Sequence, residues 1–118
     1  IECLGIKLES MVIKDLCKEY FRAFEGKDLA HLSGMFSEDV ILRDWEINAQ
    51  GKKDVLSANK SIFESVGNIK IKVVEMYESH MTCICEIVIF VDSDKLLVAD
   101  IIGFNSDGKI SSIRAYKG

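Results

Sequence analysis

The stretch MTCICEIVIFVDSDKLLVADIIGF, residues 81–104, decides the fold because it holds two long apolar runs joined by a three-residue polar turn. β-Branched and apolar side chains dominate both runs, as is typical of strands. The turn DSD at 92–94 is short enough for a hairpin. The stretch therefore predicts two antiparallel strands, over 81–91 and 95–104.

Two similar runs flank this hairpin. IKIKVVEMY at 69–77 precedes it across the turn ESH, and KISSIRAY at 109–116 follows it across the turn NSDG. Four strands joined by short turns predict an antiparallel meander over the second half of the chain.

Helical patterns occupy the first half of the chain. Apolar residues recur at helical spacing over 8–25, and a shorter helix capped by Asp28 follows over 29–36. After a strand at 40–47 and a loop, a third helix covers 55–66. The first helix has a core-facing apolar row and a flanking apolar row: Leu8, Val12, Leu16, Tyr20 and Phe24, then Ile13, Cys17 and Phe21. Helices segregated from strands predict an α+β domain, with a curved antiparallel sheet packed against three helices.

Length, composition and charge limit the function classes. The chain of 118 residues with 48% apolar residues fits one domain, residues 1–118, that buries about two thirds of its extended surface. The net charge is −4 and the basic residues are scattered, so we expect no nucleic-acid partner. No apolar run approaches the roughly 18 residues of a membrane span, and the first residues lack the features of a secretory signal. We therefore expect a cytoplasmic protein with no membrane partner.

The chain has four cysteines, Cys3, Cys17, Cys83 and Cys85. Their spacing indicates neither a disulfide framework nor a metal site. We interpret them as small buried apolar side chains and expect no metal.

Three polar residues fall on apolar faces. Alternation along the strand at 40–47 places Asp44 on the face of Val40 and Leu42, and Asp100 shares a face of its own strand with apolar residues. Tyr20 lies within the core-facing row of the first helix. A carboxylate buried without a partner is costly, so such an acid finds donors or stays protonated with a raised pKa. Each residue also has a structural explanation: Asp44 in water at the strand end, Asp100 bonded to backbone amides, and Tyr20 as ordinary core.

The segment YFRAFEGKDLAHLSGMFSEDVILRDW at 20–45 resembles the start of the nuclear transport factor 2-like superfamily, which includes the ketosteroid isomerases and the SnoaL-like polyketide cyclases. The segment DIIGFNSDGKISSIRAY at 100–116 is similar to the final hairpin of those proteins. The resemblance implies a cystatin-like cone, in which the bent sheet and three helices surround a deep pocket. It also implies a homodimer formed through the sheet.

The resemblance to the ketosteroid isomerases also implies a reaction. Asp44 takes the position of the catalytic base, and Tyr20 and a protonated Asp100 take the positions of the donors to the oxyanion. Trp45 replaces a proline at the expected pocket mouth, and Asn59 stands near a position where some isomerases carry a supporting tyrosine. The other candidate pocket-wall residues are Phe24, Phe63, Ile102, Phe104 and Ile113.

The predicted function is thus a cofactor-free isomerase, or a related SnoaL-type cyclase, that acts on a small hydrophobic molecule containing a carbonyl group. Two alternatives stay open: a non-catalytic domain that binds a hydrophobic ligand, and a dimeric protein-interaction module of the same fold. His31 and His80 fall at polar positions and we expect them to be solvated. Glu86 interrupts an apolar row and fits either a pocket or an outer sheet face.

Overall fold

The structure is a computed structural model that describes the backbone of residues 2–118 and the side chains from Val12 onward. That part of the chain contains three helices, α1 (Glu2–Glu25), α2 (Leu29–Met35) and α3 (Lys52–Ser65). It also contains six strands, β1 (Phe36–Arg43), β2 (Asn48–Gln50), β3 (Ile69–Ser79), β4 (Thr82–Val91), β5 (Asp94–Phe104) and β6 (Ile110–Lys117). The predicted α+β class and the three helices are confirmed, although α1 starts earlier than the apolar pattern indicated.

The six strands form one sheet in the order β2-β1-β6-β5-β4-β3. The predicted antiparallel meander of β3 to β6 is confirmed. The prediction of an entirely antiparallel sheet is wrong, because β1 pairs in parallel with β6, with Leu42 opposite Ile113. The parallel pair arises because α3 carries the chain across to the far edge, and the four-stranded meander then returns β6 alongside β1. The predicted loop after β1 also contains a short strand, β2, which pairs antiparallel with β1.

Register shifts bend the sheet. Such irregularities lie between Val73 and Glu75 on β3 and between Gly103 and Phe104 on β5. Bulges of this kind increase local twist and bend the strand. Gly103 suits its site because an added Cβ would lie 2.6 Å from the Ser112 hydroxyl oxygen. The bent sheet therefore has a concave face, which the helices cover.

The buried face of α1 is rotated from the predicted core-facing row toward the flanking row. Ile13, Cys17 and Phe21 are buried, whereas Val12 is 51% exposed. Both rows are apolar, so helical spacing alone could not identify the centre of the contact. The predicted row also included Leu8, which lies outside the described side chains.

The segment between α1 and α2 follows the predicted pattern. Asp28 caps α2, since its Oδ1 accepts a hydrogen bond from the His31 backbone N–H at 3.1 Å. The helical spacing also predicts that Leu29, Leu32, Met35 and Phe36 face inward. Leu32, Met35 and Phe36 are buried, whereas Leu29 is only half-buried.

Side-chain contacts to the backbone fix the β3 edge of the fold. The Glu25 carboxylate at the end of α1 accepts a hydrogen bond from the Ile71 backbone N–H at 2.6 Å. The Asp92 carboxylate, in the turn between β4 and β5, accepts hydrogen bonds from the backbone N–H groups of Gly67 and Asn68. These contacts hold the start of β3 against α1 and the neighbouring hairpin.

Candidate active site

A cavity of about 140 Å³ lies between α1, α3 and the concave face of the sheet. Its wall is mostly apolar and includes Phe21, Phe24, Leu42, Ile87, Val98 and Ile113. Four polar side chains also line it: Tyr20, Asp44, Asn59 and Asp100. A largely apolar cavity with a few converging polar groups is the usual form of a small-molecule site.

The structure brings the three predicted catalytic residues to this one cavity. Tyr20 comes from α1, Asp44 follows the end of β1, and Asp100 lies in β5. Trp45 also lines the cavity, is partly exposed, and has Lys117 Nζ 5.4 Å from the centroid of its ring. Of the other predicted wall residues, Phe24 and Ile113 line the cavity.

Phe63 and Phe104 do not line this cavity, which corrects their assignment as wall residues. Phe63 stands behind the wall, with its ring centroid 4.9 Å from that of Phe24 in an edge-to-face arrangement. Phe104 lies at the end of β5 and lines a separate surface depression with Val12 and Ile13. Both residues therefore belong to the packed core rather than to the site.

Ile102 is also absent from the cavity wall, because the core is packed solid around it. It pairs with Cys83 on β4 in a fully buried row. The sulfur atoms of Cys17, Cys83 and Cys85 lie within 4.8 Å of one another there, so α1 packs directly on the sheet.

These three residues form a cysteine cluster (Cys17, Cys83 and Cys85) that the sequence spacing did not indicate, since Cys17 comes from α1 and the other two from β4. All three are buried, and the Cys83 and Cys85 sulfur atoms are 3.7 Å apart. Hydrogen bonding to Cys83 and Cys85, together with burial, raises the pKa of the Cys17 thiol far above its ordinary value. Cys17 therefore packs as a neutral thiol. Cys3 lies outside the described side chains.

Asp100 is the buried acid of the site, only 7% exposed. Burial, and secondly the charge of Asp44, raise the pKa of Asp100 to about 7. No hydrogen bond from the described residues stabilises its ionised form. Asp100 therefore keeps its proton below about pH 7 and can donate a hydrogen bond into the cavity.

Tyr20 is a second donor facing the same space. Burial, and then the charge of Asp100, raise the pKa of the Tyr20 phenol well above its ordinary value. The hydroxyl stays protonated throughout the physiological range. Its ring is held by Phe21, Phe24 and Phe36, whose centroids lie 5.5, 6.1 and 6.3 Å away.

Asp44 is fixed by the turn between β1 and β2. Its Oδ1 accepts hydrogen bonds from the backbone N–H groups of Glu46 at 2.7 Å and Ile47 at 2.6 Å. Its own backbone N–H donates to the Ile47 carbonyl at 2.9 Å. This turn holds the half-buried carboxylate at the cavity, and Oδ2 accepts no hydrogen bond from the described residues.

Asn59 is a further cavity residue that the sequence assigned no role of its own. It is 1% exposed, and its Nδ2 has no hydrogen-bond partner within the described part of the chain. Leaving a buried donor unpaired costs about 1–3 kcal/mol. The available signal was its position on α3, four residues from both Val55 and Phe63 on the buried face.

The remaining candidates lie away from the cavity. His31 is exposed and its Nε2 lies 3.5 Å from a Glu19 carboxylate oxygen, and His80 is exposed in the turn after β3. Glu86 is exposed on the opposite face of the sheet, beside Leu97 and Tyr116. The two readings of Glu86 are thereby resolved in favour of the outer face.

The chain belongs to the SnoaL-like domain family, whose model matches residues 13–105. This match confirms the expected resemblance to SnoaL-like proteins. No curated protein matches the chain with significant sequence similarity.

Solved structures share the fold at low sequence identity. A candidate SnoaL-like polyketide cyclase from Shewanella denitrificans has a TM-score of 0.80 at 10% identity, over 91% of this chain and 90% of that one. A candidate ketosteroid isomerase from Kribbella flavida has a TM-score of 0.79 at 16% identity, over 92% and 78%. An LEH-like epoxide hydrolase from M. tuberculosis has a TM-score of 0.79 at 12% identity, over 92% and 84%. Similarity at this level establishes the fold alone.

Within the described residues, no helix combines the length and apolar character needed to cross a membrane.

Proposed function

We propose that this protein is a small-molecule isomerase of the ketosteroid isomerase type, which moves a proton at the carbon next to a carbonyl group, or a cyclase that uses the same proton transfer. One observation carries this proposal: Tyr20, Asp44 and Asp100 line a single, mostly apolar cavity. A base and two neutral donors are the groups that enolate chemistry requires.

Each residue has one role in the proposed reaction. The Asp44 carboxylate removes a proton α to the carbonyl and returns it at another carbon of the same molecule. Meanwhile the Tyr20 hydroxyl and the protonated Asp100 donate hydrogen bonds to the enolate oxygen. Preorganised donors of this kind each contribute about 3–4 kcal/mol when water is excluded.

The electrostatics of the cavity support this division of roles. Burial raises the pKa of Asp100 to about 7 and holds the pKa of Tyr20 above its ordinary value, so both groups retain protons to donate. Asp44 is half-buried at the cavity mouth, and its Oδ1 accepts hydrogen bonds from two backbone N–H groups, whereas Asp100 is buried. Two carboxyl groups in environments this different are typical of acid and base partners.

The size of the cavity limits the substrate. Its volume of about 140 Å³ is close to the roughly 150 Å³ of an engineered protein cavity that binds benzene. We therefore propose a substrate of about one ring rather than a steroid. Apart from its carbonyl group, the proposed substrate has an apolar surface that matches the apolar cavity wall around Phe24 and Ile113.

The test is isomerisation of 3-cyclohexen-1-one, followed by the ultraviolet absorbance of the conjugated product. We expect turnover by the wild-type protein, loss of turnover in Asp44→Asn, and full activity in the control Asp39→Asn, since Asp39 is exposed on β1. Turnover that survives Asp44→Asn would remove Asp44 from the mechanism. Ligand binding without turnover, equal in both proteins, would instead indicate a non-catalytic binding domain.

We also infer a homodimer, and a specific surface favours it. The outer face of the sheet, defined by Val74, Ile84, Leu97 and Tyr116, carries large apolar side chains that are exposed in the single chain. Clusters of this kind mark interaction sites. Leu97→Arg should convert the dimer to a monomer in light scattering, whereas Val12→Arg on α1 should not, although Leu97 and Val12 are similarly exposed at 55% and 51%. A wild-type monomer would contradict the inference.

A further inference from the structure

Asn59 is a buried polar group that the proposed reaction does not use. Its side chain is 1% exposed and lines the cavity from the α3 side. Its Nδ2 donor has no partner among the side chains and backbone groups that the structure describes. An unpaired buried donor is destabilising, so a protein that keeps one at a cavity wall gains from it only when an acceptor is bound.

Asn59 has no role in capping or terminating a helix. The residue occupies the middle of α3, where it neither caps the helix nor follows a turn. The positions four residues before and after it, Val55 and Phe63, are buried apolar residues, so a leucine would continue the pattern. The Asn59 amide is therefore a polar group on an otherwise apolar buried helical face, and it lines the cavity.

Asn59 lines the cavity from α3, whereas the two predicted donors to the enolate oxygen, Tyr20 and Asp100, come from α1 and β5. The Asn59 Nδ2 donates a hydrogen bond to neither of them. A carbonyl oxygen of the ligand that accepts from both Tyr20 and Asp100 uses its two lone pairs there, so the Asn59 amide requires another acceptor.

We propose that the Asn59 amide binds a second oxygen of the ligand, so that the cavity selects one-ring compounds with two oxygen acceptors. The inference rests on the proposed function for the position of the first oxygen, at Tyr20 and Asp100. The second acceptor is a neutral carbonyl or ether oxygen, because the Asp44 carboxylate and the apolar wall both disfavour a second negative charge.

The test compares binding of hydroxyacetophenone with that of ethylphenol by calorimetry. The two compounds have nearly the same shape, and only the first has a second acceptor; the meta and para isomers sample two spacings between the oxygens. We expect the wild-type protein to bind one isomer of hydroxyacetophenone about tenfold more tightly than the matching ethylphenol. Asn59→Leu should abolish this preference while it retains ethylphenol binding.

A second variant separates hydrogen bonding from shape. Asn59→Ser changes the size of the side chain but keeps a hydroxyl donor, so it should retain part of the preference for hydroxyacetophenone that Asn59→Leu loses. Equal affinities in the wild-type protein, equal losses for both ligands in Asn59→Leu, or no binding of any isomer at millimolar concentration would overturn the inference. A retained preference without turnover of 3-cyclohexen-1-one would refute the proposed reaction alone, since binding requires no proton transfer.

Discussion

Asp100 should make the stability of this protein depend on pH. The folded state raises the pKa of Asp100 to about 7 from an ordinary value of 3.8, chiefly by burial. The native state therefore holds this proton more tightly than the unfolded chain does. The stabilising contribution is complete below about pH 3.8 and is lost as the pH rises through about 7. The difference in pKa corresponds to about 4 kcal/mol of unfolding free energy.

The assay is urea unfolding of the wild-type protein and Asp100→Asn between pH 5 and pH 9, values chosen on either side of the folded-state pKa of about 7. Asp100→Asn cannot ionise, so its stability should change less over this range, and the difference between the two proteins should shift by a few kcal/mol in favour of the variant. Asp107→Asn, at an exposed turn, is the matched control and should follow the wild-type protein. Parallel pH profiles for the wild-type protein and Asp100→Asn would refute the assignment of Asp100 as a buried neutral acid.

Three further outcomes follow from the same structure. Isomerase activity should decline as the pH rises through about 7, because Asp100 loses the proton it donates, and Asp100→Asn should flatten this decline; an unchanged profile would exclude Asp100 as the titrating group. Phe63→Ala should lower the unfolding free energy by about 3–5 kcal/mol in urea titrations, since the ring is buried in the core; a loss below about 1 kcal/mol would contradict that packing. Asp92→Ala should speed amide hydrogen exchange at Gly67 and Asn68, measured by nuclear magnetic resonance, because both amides donate to Asp92; unchanged exchange would argue against those bonds.

The strands were predictable because their pattern is local. Alternation and short turns located β3 to β6, and the Asp28 cap located α2. The parallel pairing of β1 with β6 was not predictable in this way, since it depends on where α3 carries the chain. The position of the buried face of α1 was not predictable for a related reason. Two apolar rows lie side by side on this helix, and only its packing against the sheet determines where the centre of the buried face lies.

The candidate catalytic residues were predictable because polar side chains on apolar faces are conspicuous in a sequence. Tyr20, Asp44 and Asp100 stood out as polar groups on apolar faces, and all three line the cavity. Apolar residues of the cavity wall cannot be distinguished from other buried apolar residues by sequence. Ile102 was therefore predicted to line the cavity, although it lies in the packed core. Asn59 was only weakly indicated, as a polar residue four positions from apolar residues on the same helical face. Its significance became clear only in the structure, where its amide is unpaired at the cavity.

The most direct measurement of the central claim is deuterium exchange at the α-carbon of cyclohexanone in D₂O, followed by proton nuclear magnetic resonance. This exchange requires only removal and return of an α-proton and no rearrangement of the substrate. We predict catalysed exchange by the wild-type protein, a reduced rate in Tyr20→Phe, and no exchange above the buffer rate in Asp44→Asn. Equal exchange by the wild-type protein and Asp44→Asn would contradict the claim that Asp44 is the base of an enolate-forming cavity.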